Sequence, residues 1–232
     1  YKYEKSEENN LFNNAYSFMF KYMNDYDLYY HNTVHIRKVY ISVCTLIAVN
    51  KMVTKSVDIS DKDISALFYS FLFHDIFYSY GLEEGQNEIL SARIFMSWWN
   101  SQDNEAIYNV YGSITPEQNF TSLVSNLIIN TTVSHRKTLA QDSLYALLAD
   151  ADIMYSFINI EKLKESSNLI RGEYNYKVDS ANTTPTLNYS FIFVTKIVDT
   201  GFVSDAGKQF NNNYVSIKED IIKEAAEWKD SI

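Results

Sequence analysis

Apolar positions along this chain recur at three- and four-residue intervals almost throughout, the spacing of amphipathic helices. Phe12, Tyr16, Met19, Phe20 and Met23 form one stripe, and Ile36, Val39, Tyr40, Val43, Leu46 and Ile47 form a second. Ser60 followed by Asp63 predicts a capping pair opening a third helix, apolar nearly all round from Ala66 to Phe73. A helix without a polar face has to lie centrally in its fold. Gly81 to Gly85 reads as a loop, and helical spacing resumes from Asn87 to Trp99. Thr115-Pro116-Glu117-Gln118 predicts a helix start, with a capping Thr, Pro in the first turn and Gln closing the box. That helix runs through Leu123, Leu127 and Ile128 towards Thr132. Further helices are expected over 143–157, 160–176, 186–200 and 204–229, with 179–185 a loop and Gly201 a break. No run alternates well enough to predict a strand. The expectation is an all-α fold, one domain over 1–232, of roughly eight to ten helices.

Composition agrees: six Gly and two Pro in 232 residues, with 46% hydrophobic residues, favour long helices over a turn-dense sandwich or barrel. The one cysteine, Cys44, excludes an internal disulfide and any paired-cysteine zinc site, and is expected as a small buried core residue. A net charge of −9 without a Lys/Arg cluster argues against nucleic acid and anionic membrane surfaces as partners. It leaves a small phosphorylated substrate open, because a bound metal and a few local cations would set the field there. The longest uncharged apolar stretch, near 39–49, is too short to span a bilayer. A cytoplasmic location is expected, although the chain opens on Tyr1 rather than Met and leaves targeting undecided. The aromatic content, 19 Tyr, 14 Phe and three Trp, leaves room for a homo-oligomeric interface.

The chemistry concentrates in four histidines and two aspartate words. His31 and His35 are four apart, and if both are helical they share a face. His74-Asp75 closes the central apolar helix, where adjacent residues about 100° apart can still converge on one point. Asp150 and Asp152 are two apart and face nearly opposite ways, so one of them is expected to bind; Asp152, four after Leu148, is the better candidate. Asp150 is expected to be solvated or to support the site from behind. Imidazoles and carboxylates in that order suit a divalent metal with positions left for water and substrate. A lone histidine on an apolar helix is usually a core residue; four in one ordered series shift the balance towards a metal site.

These words resemble the HD-domain superfamily, in particular its branch of metal-dependent HD phosphohydrolases. The resemblance rests on Tyr30-His31-Asn32-Thr33-Val34-His35-Ile36, Phe73-His74-Asp75-Ile76-Phe77-Tyr78, Asn87-Glu88 with Ser91-Ala92, Thr131-Thr132-Val133-Ser134-His135, Leu147 to Ile153, and Ile170-Arg171-Gly172-Glu173-Tyr174. In order and gaps it covers about residues 26–225. It implies an HD-type helical bundle with His35, His74, Asp75 and Asp152 as metal ligands. It implies one divalent ion, its identity open among Mn, Fe, Co, Ni and Mg, and hydrolysis of a phosphate ester or anhydride, most often of a nucleotide. Asp75 and His135 are then catalytic candidates, and His31, Asn87, Glu88, Arg171 and Tyr174 substrate-binding ones. Arg171 suits a phosphate clamp, or else pairs with Glu165 or Glu173. Tyr26, Tyr29 and Tyr30 are expected as packing and pocket wall, and Glu83-Glu84 as a solvated loop pair. Two alternatives remain: a non-catalytic nucleotide-binding regulator, and a di-iron oxygenase on the same fold. The second needs more histidines between the His-Asp pair and the last Asp than His135 alone.

Overall fold

The computed structural model describes residues 7–24, 28–102, 120–177 and 200–211, with residues 219 and 223. Among them the structure is all-α, without a strand. The helices are α1 (Glu7–Asn24), α2 (Thr33–Val49), α3 (Asp61–Phe73), α4 (Gln86–Asn100), α5 (Phe120–Ile129), α6 (Leu144–Met154), α7 (Ile160–Lys177) and α8 (Asp205–Phe210). Tyr26, the expected helix start at 115–118, the loop at 179–185 and the helix at 186–200 up to its last residue lie outside the described residues, as does most of 212–229.

Local chemistry accounts for the boundaries that matter. Asn32 precedes α2, and its Oδ1 accepts from the backbone N–H of Val34 and His35 at 2.8 and 3.3 Å. Its amide nitrogen donates back to the carbonyls of Leu28 and Tyr29. At α3 the expected capping box forms in both directions: Asp63 N–H donates to Ser60 Oγ at 3.2 Å, and Ser60 N–H donates to Asp63 Oδ2 at 3.0 Å. Ser143 and Ser204 cap α6 and α8 in one direction only, each hydroxyl accepting from the backbone N–H three residues on. Gly201, the expected break, has a φ of +66°, a conformation that costs residues bearing a Cβ.

The centre is α3. Its residues Ala66, Leu67, Tyr69, Leu72 and Phe73 are buried, and the helix packs against α1, α2, α4, α5 and α6. The apolar circumference read from its sequence is thereby used up. Around it Tyr69, Phe73, Phe95, Trp98, Trp99 and Phe120 form a buried aromatic cluster, with Tyr69 edge-on to Trp99 at 5.5 Å. One hydrophobic core runs from Leu11 to Ala206 and draws on all eight helices. Cys44 departs from its expectation in being only half-buried; it sits at the edge of the α2 stripe, beside fully buried Val43. No helix among the described residues is long and apolar enough to cross a membrane.

Candidate metal centre

Three elements deliver the candidate ligands to one point. Asn32 starts α2 so that His35 lies in its first turn, facing inward. The C-terminal end of α3 presents His74, its capping residue, with Asp75 next. The C-terminal half of α6 presents Asp152. His35 Nε2 and His74 Nε2 are 3.3 Å apart, and Asp152 Oδ1 lies 3.0 and 3.2 Å from them. Asp75 Oδ2 lies 3.2 and 3.1 Å from the same nitrogens. All four donor atoms fall within 4.8 Å of one another. An ion with bonds near 2.1 Å at right angles puts neighbouring donors about 3.0 Å apart, so a group with these spacings could hold one.

The chemistry of the donors fits as well. His74 Nδ1 donates to the Phe71 carbonyl at 2.9 Å, which leaves the Nε2 lone pair of the neutral ring pointing into the cluster. His35 Nε2 faces the same point from 3.3 Å away. The electrostatics carry the same message. Burial pushes the His74 imidazole down, but the Asp75 and Asp152 carboxylates outweigh it and hold it well above its ordinary value. His35 is raised in the same contest, by its hydrogen bonds to Asp152 and Asp75. Burial would raise Asp75 and Asp152, yet the imidazoles beside them hold both carboxyls down. Two carboxylates thus favour the charged forms of the two imidazoles beside them, a buried arrangement of charge that could also accommodate a divalent ion.

A cavity of about 210 Å³ opens beside this group, lined by Asp75 and Asp152 together with His31, Tyr78, Asn87 and Glu88. A larger one of about 570 Å³ is walled by aromatic side chains of α1, α2 and α3 and includes none of the four donors. The site is therefore placed by its donors and not by volume.

His31 does not share a helix face with His35, because α2 begins only at Thr33. It is held instead by Glu173, whose Oε1 sits 2.5 Å from His31 Nδ1 and whose Oε2 accepts from the backbone N–H of Tyr30 and His31 at 2.7 and 2.9 Å. Tyr80 donates its hydroxyl to the same carboxylate at 2.9 Å, and the Tyr78 ring stacks on the imidazole at 3.4 Å. Burial would raise Glu173, but the His31 ring and the donors around it take its carboxyl down to about 2. Nε2 is the His31 ring nitrogen left for a molecule in the cavity. Tyr30 lies against His35 with ring centres 4.7 Å apart, and burial with the nearby Asp152 keeps its phenol protonated.

Asn87 lines the cavity but spends its amide on the loop after the His-Asp pair, accepting from Ser79 N–H and donating to its carbonyl. Ser91 bonds Phe77 in the same two-way manner. These residues of the α4 words hold the His-Asp turn in place. Glu88 is pushed up to about 7 by burial and by the repulsion of Asp75 and Asp152, so it changes charge near neutrality. Glu83 and Glu84 are exposed, as expected of a solvated pair, and also line the cavity mouth. His135 lies on a 3₁₀ turn over Val133–Thr138, apart from the four-donor group and from the residues lining the cavity, with a buried Nδ1 that has no hydrogen-bond partner among the described residues. Arg171 and Tyr174 lie on α7, and their side chains fall outside the described ones. The acids proposed to pair with Arg171 have other partners: Glu173 holds His31, and Glu165 bonds Lys38 and Lys162.

Asp150 corrects its expectation as a solvated carboxylate. It is fully buried, 2.8 Å from Arg136 Nη2, and accepts from Ser204 N–H and Oγ at 2.7 and 2.6 Å and from Val203 N–H at 2.9 Å. Arg136 also donates to the carbonyls of Ala149 and Gly201. As expected from the spacing, Asp150 and Asp152 face apart, and only Asp152 joins the donors. Arg136 and Glu173 were missed as sites. The signal for Glu173 is its place on the buried stripe of α7, after Leu163, Ser166, Ser167 and Ile170. No protein-family model matches this chain, and no curated protein matches it.

Proposed function

We propose that this protein is a metal-dependent phosphohydrolase of the HD type, acting on a phosphate ester or anhydride of a small molecule. The observation that carries the reading is the convergence of His35, His74, Asp75 and Asp152 beside a cavity. A divalent ion bound by these four residues would supply Lewis acidity towards a phosphoryl oxygen and a water acidic enough to act as nucleophile. The rest falls to the chain's own groups. Asp75 and Asp152 set the charge of the site, and His74 is kept in one tautomer by the Phe71 carbonyl. His31, oriented by Glu173 and by the Tyr78 stack, would contact the substrate from the cavity wall in this reading. Glu88, titrating near neutrality in the cavity wall, can take a proton from the attacking water. A nucleotide is the substrate class that the family resemblance suggests.

The test is metal content per chain for the wild type, His74→Ala and Asp152→Ala, each with a circular dichroism spectrum to show the fold retained. About one transition-metal ion per chain, absent from both variants, is expected. The metal-loaded wild type should then release phosphate or alcohol from an ester panel, and Asp75→Ala should lose that activity. Undiminished metal in folded variants, or no uptake by the wild type after soaking with Mn²⁺ or Ni²⁺, would overturn the reading.

A further inference from the structure

Independently of any reaction, we propose that the groove between α1, α2 and α3 seats a second copy of this chain in a two-fold symmetric dimer. The groove is the cavity of about 570 Å³ that includes none of the four donors. Its floor is one stripe of α3, where Asp61, Ile64, Phe68 and Phe71 recur at three- and four-residue intervals. Phe12 and Tyr16 of α1 and Tyr40 of α2 wall it, and the Phe68 ring lies 6.1 Å from Phe12 and 5.9 Å from Tyr40. Tyr16 and Tyr40 are 38% and 45% exposed, and the apolar surface continues beyond the groove through Phe20 at 39% and Ile41 at 62%. Monomers rarely expose so continuous an apolar surface, and aromatic side chains are what interface cores are enriched in.

Charge selects the occupant. Arg37 and Asp61 are the two charged side chains lining the groove, and both are exposed. Neither has an ion pair or hydrogen bond among the described residues. They stand at opposite ends. Arg37 follows two residues after His35, which meets His74 at the C-terminal end of α3 at 3.3 Å. Asp61 opens α3, about 15 Å along the helix from Phe71 at 1.5 Å per residue. A two-fold axis across the middle of the groove exchanges these ends, so Arg37 of each copy faces Asp61 of the other. An isologous interface requires that self-complementarity. A strongly acidic or strongly basic partner would instead set one of the two against its own sign. Ile36 and Phe71 also line the groove; one adjoins His35 and the carbonyl of the other accepts from His74 Nδ1, so the interface backs onto the candidate metal centre.

The experiment is sedimentation velocity of the full chain across the micromolar range. The wild type should run as a dimer. Arg37→Asp and Asp61→Arg should each weaken that dimer by about tenfold or more, because like charges then face each other at both contacts. Circular dichroism shows that each variant is folded. Mixed in equal amounts, the two variants should recover a one-to-one dimer, since one copy carries acids at both ends of the groove and the other carries arginines. Ile41→Glu, at an exposed apolar position, should also dissociate the dimer while keeping the fold. A wild type that stays monomeric overturns the proposal, whatever else fills the groove. So does a dimer that either charge variant leaves intact, which would lie on another face. A mixture of the charge variants that stays monomeric overturns it as well. Should either charge variant fail to fold, Ile41→Glu decides: loss of the dimer supports the proposal and an intact dimer overturns it.

Discussion

Glu173 shows how much a single buried side chain can hold. It is fully buried, yet it spends both oxygens on His31, two backbone N–H groups and the Tyr80 hydroxyl. Its carboxyl sits near 2 in the folded protein against an ordinary value of 4.5. A depressed carboxylate adds stability that is fully present above about pH 4.5 and is lost as pH falls towards 2. That gap corresponds to a contribution on the order of 3 kcal/mol at neutral pH. Glu173→Gln should therefore unfold at lower urea at pH 7 and show a flatter stability profile between pH 5 and 2 than the wild type. An unchanged slope in that window would mean the His31–Glu173 contact is absent in solution. The four positions of the candidate metal centre are legible in the sequence because each sits in a short word at a helix start, a helix end or an inward stripe. The Glu173 contact is not, because its partner lies 142 positions away and no spacing rule links them. The same holds for Arg136, which follows a histidine that drew attention while the arginine itself was buried.

Among the elements, α6 carries the most consequence, since it presents Asp152 to the donors on one side and Asp150 to Arg136 on the other. The Arg136–Asp150 pair ties the 133–138 turn, α6 and the cap of α8 together. Burial pushes the Asp150 carboxyl up, against the pull of Arg136 and the donors around it. Such a pair adds little net stability, but removing one member leaves a buried charge without its partner. Arg136→Met should cost about 3–5 kcal/mol in denaturant unfolding, and Arg136→Met/Asp150→Asn should recover part of that. Equal losses in the single and double variants would count against the buried charge as the cause. Gly207 reports on the same junction: a Cβ there would enter the Asp150 carboxylate and the Phe202 ring, so Gly207→Ala should also destabilise. Element boundaries were legible where a side chain caps the backbone, as at Ser60, or where glycine permits a break, as at Gly201. They were less so where the cause is tertiary. α6 tightens to 3₁₀ geometry over Tyr155–Phe157. The π-helical turn over Asn50–Thr54 is set by the buried Asn50, whose side chain bonds Val57 N–H and its carbonyl, a contact no periodicity announces.

For the molecule as a whole, the donor group makes a prediction about stability independent of any reaction. His35, His74-Asp75 and Asp152 come from three helices and span 117 positions of sequence, so an ion between them joins α2, the end of α3 and α6. The unfolded chain has no such preformed group, and binding therefore favours the folded state. At one hundred times its dissociation constant an ion adds about 2.7 kcal/mol. At about 2–4 °C per kcal/mol for a chain of this size, exhaustive chelation should lower Tm by about 5–10 °C, and adding Mn²⁺ back should restore it. Protons compete with the ion for the imidazole nitrogens, and because the carboxylates raise both imidazoles, the ion's contribution starts to shrink as pH falls from above the ordinary histidine range. Asp152→Asn keeps the shape of the side chain but removes one negative charge from the set, and should bring the chelated and loaded melting curves closer together. Identical curves for the wild type with and without ion, across pH 5 to 8, would show that the four groups satisfy one another by proton sharing alone. The donors would then be a buried polar junction between three helices, and the function proposed for them would fall with the ion.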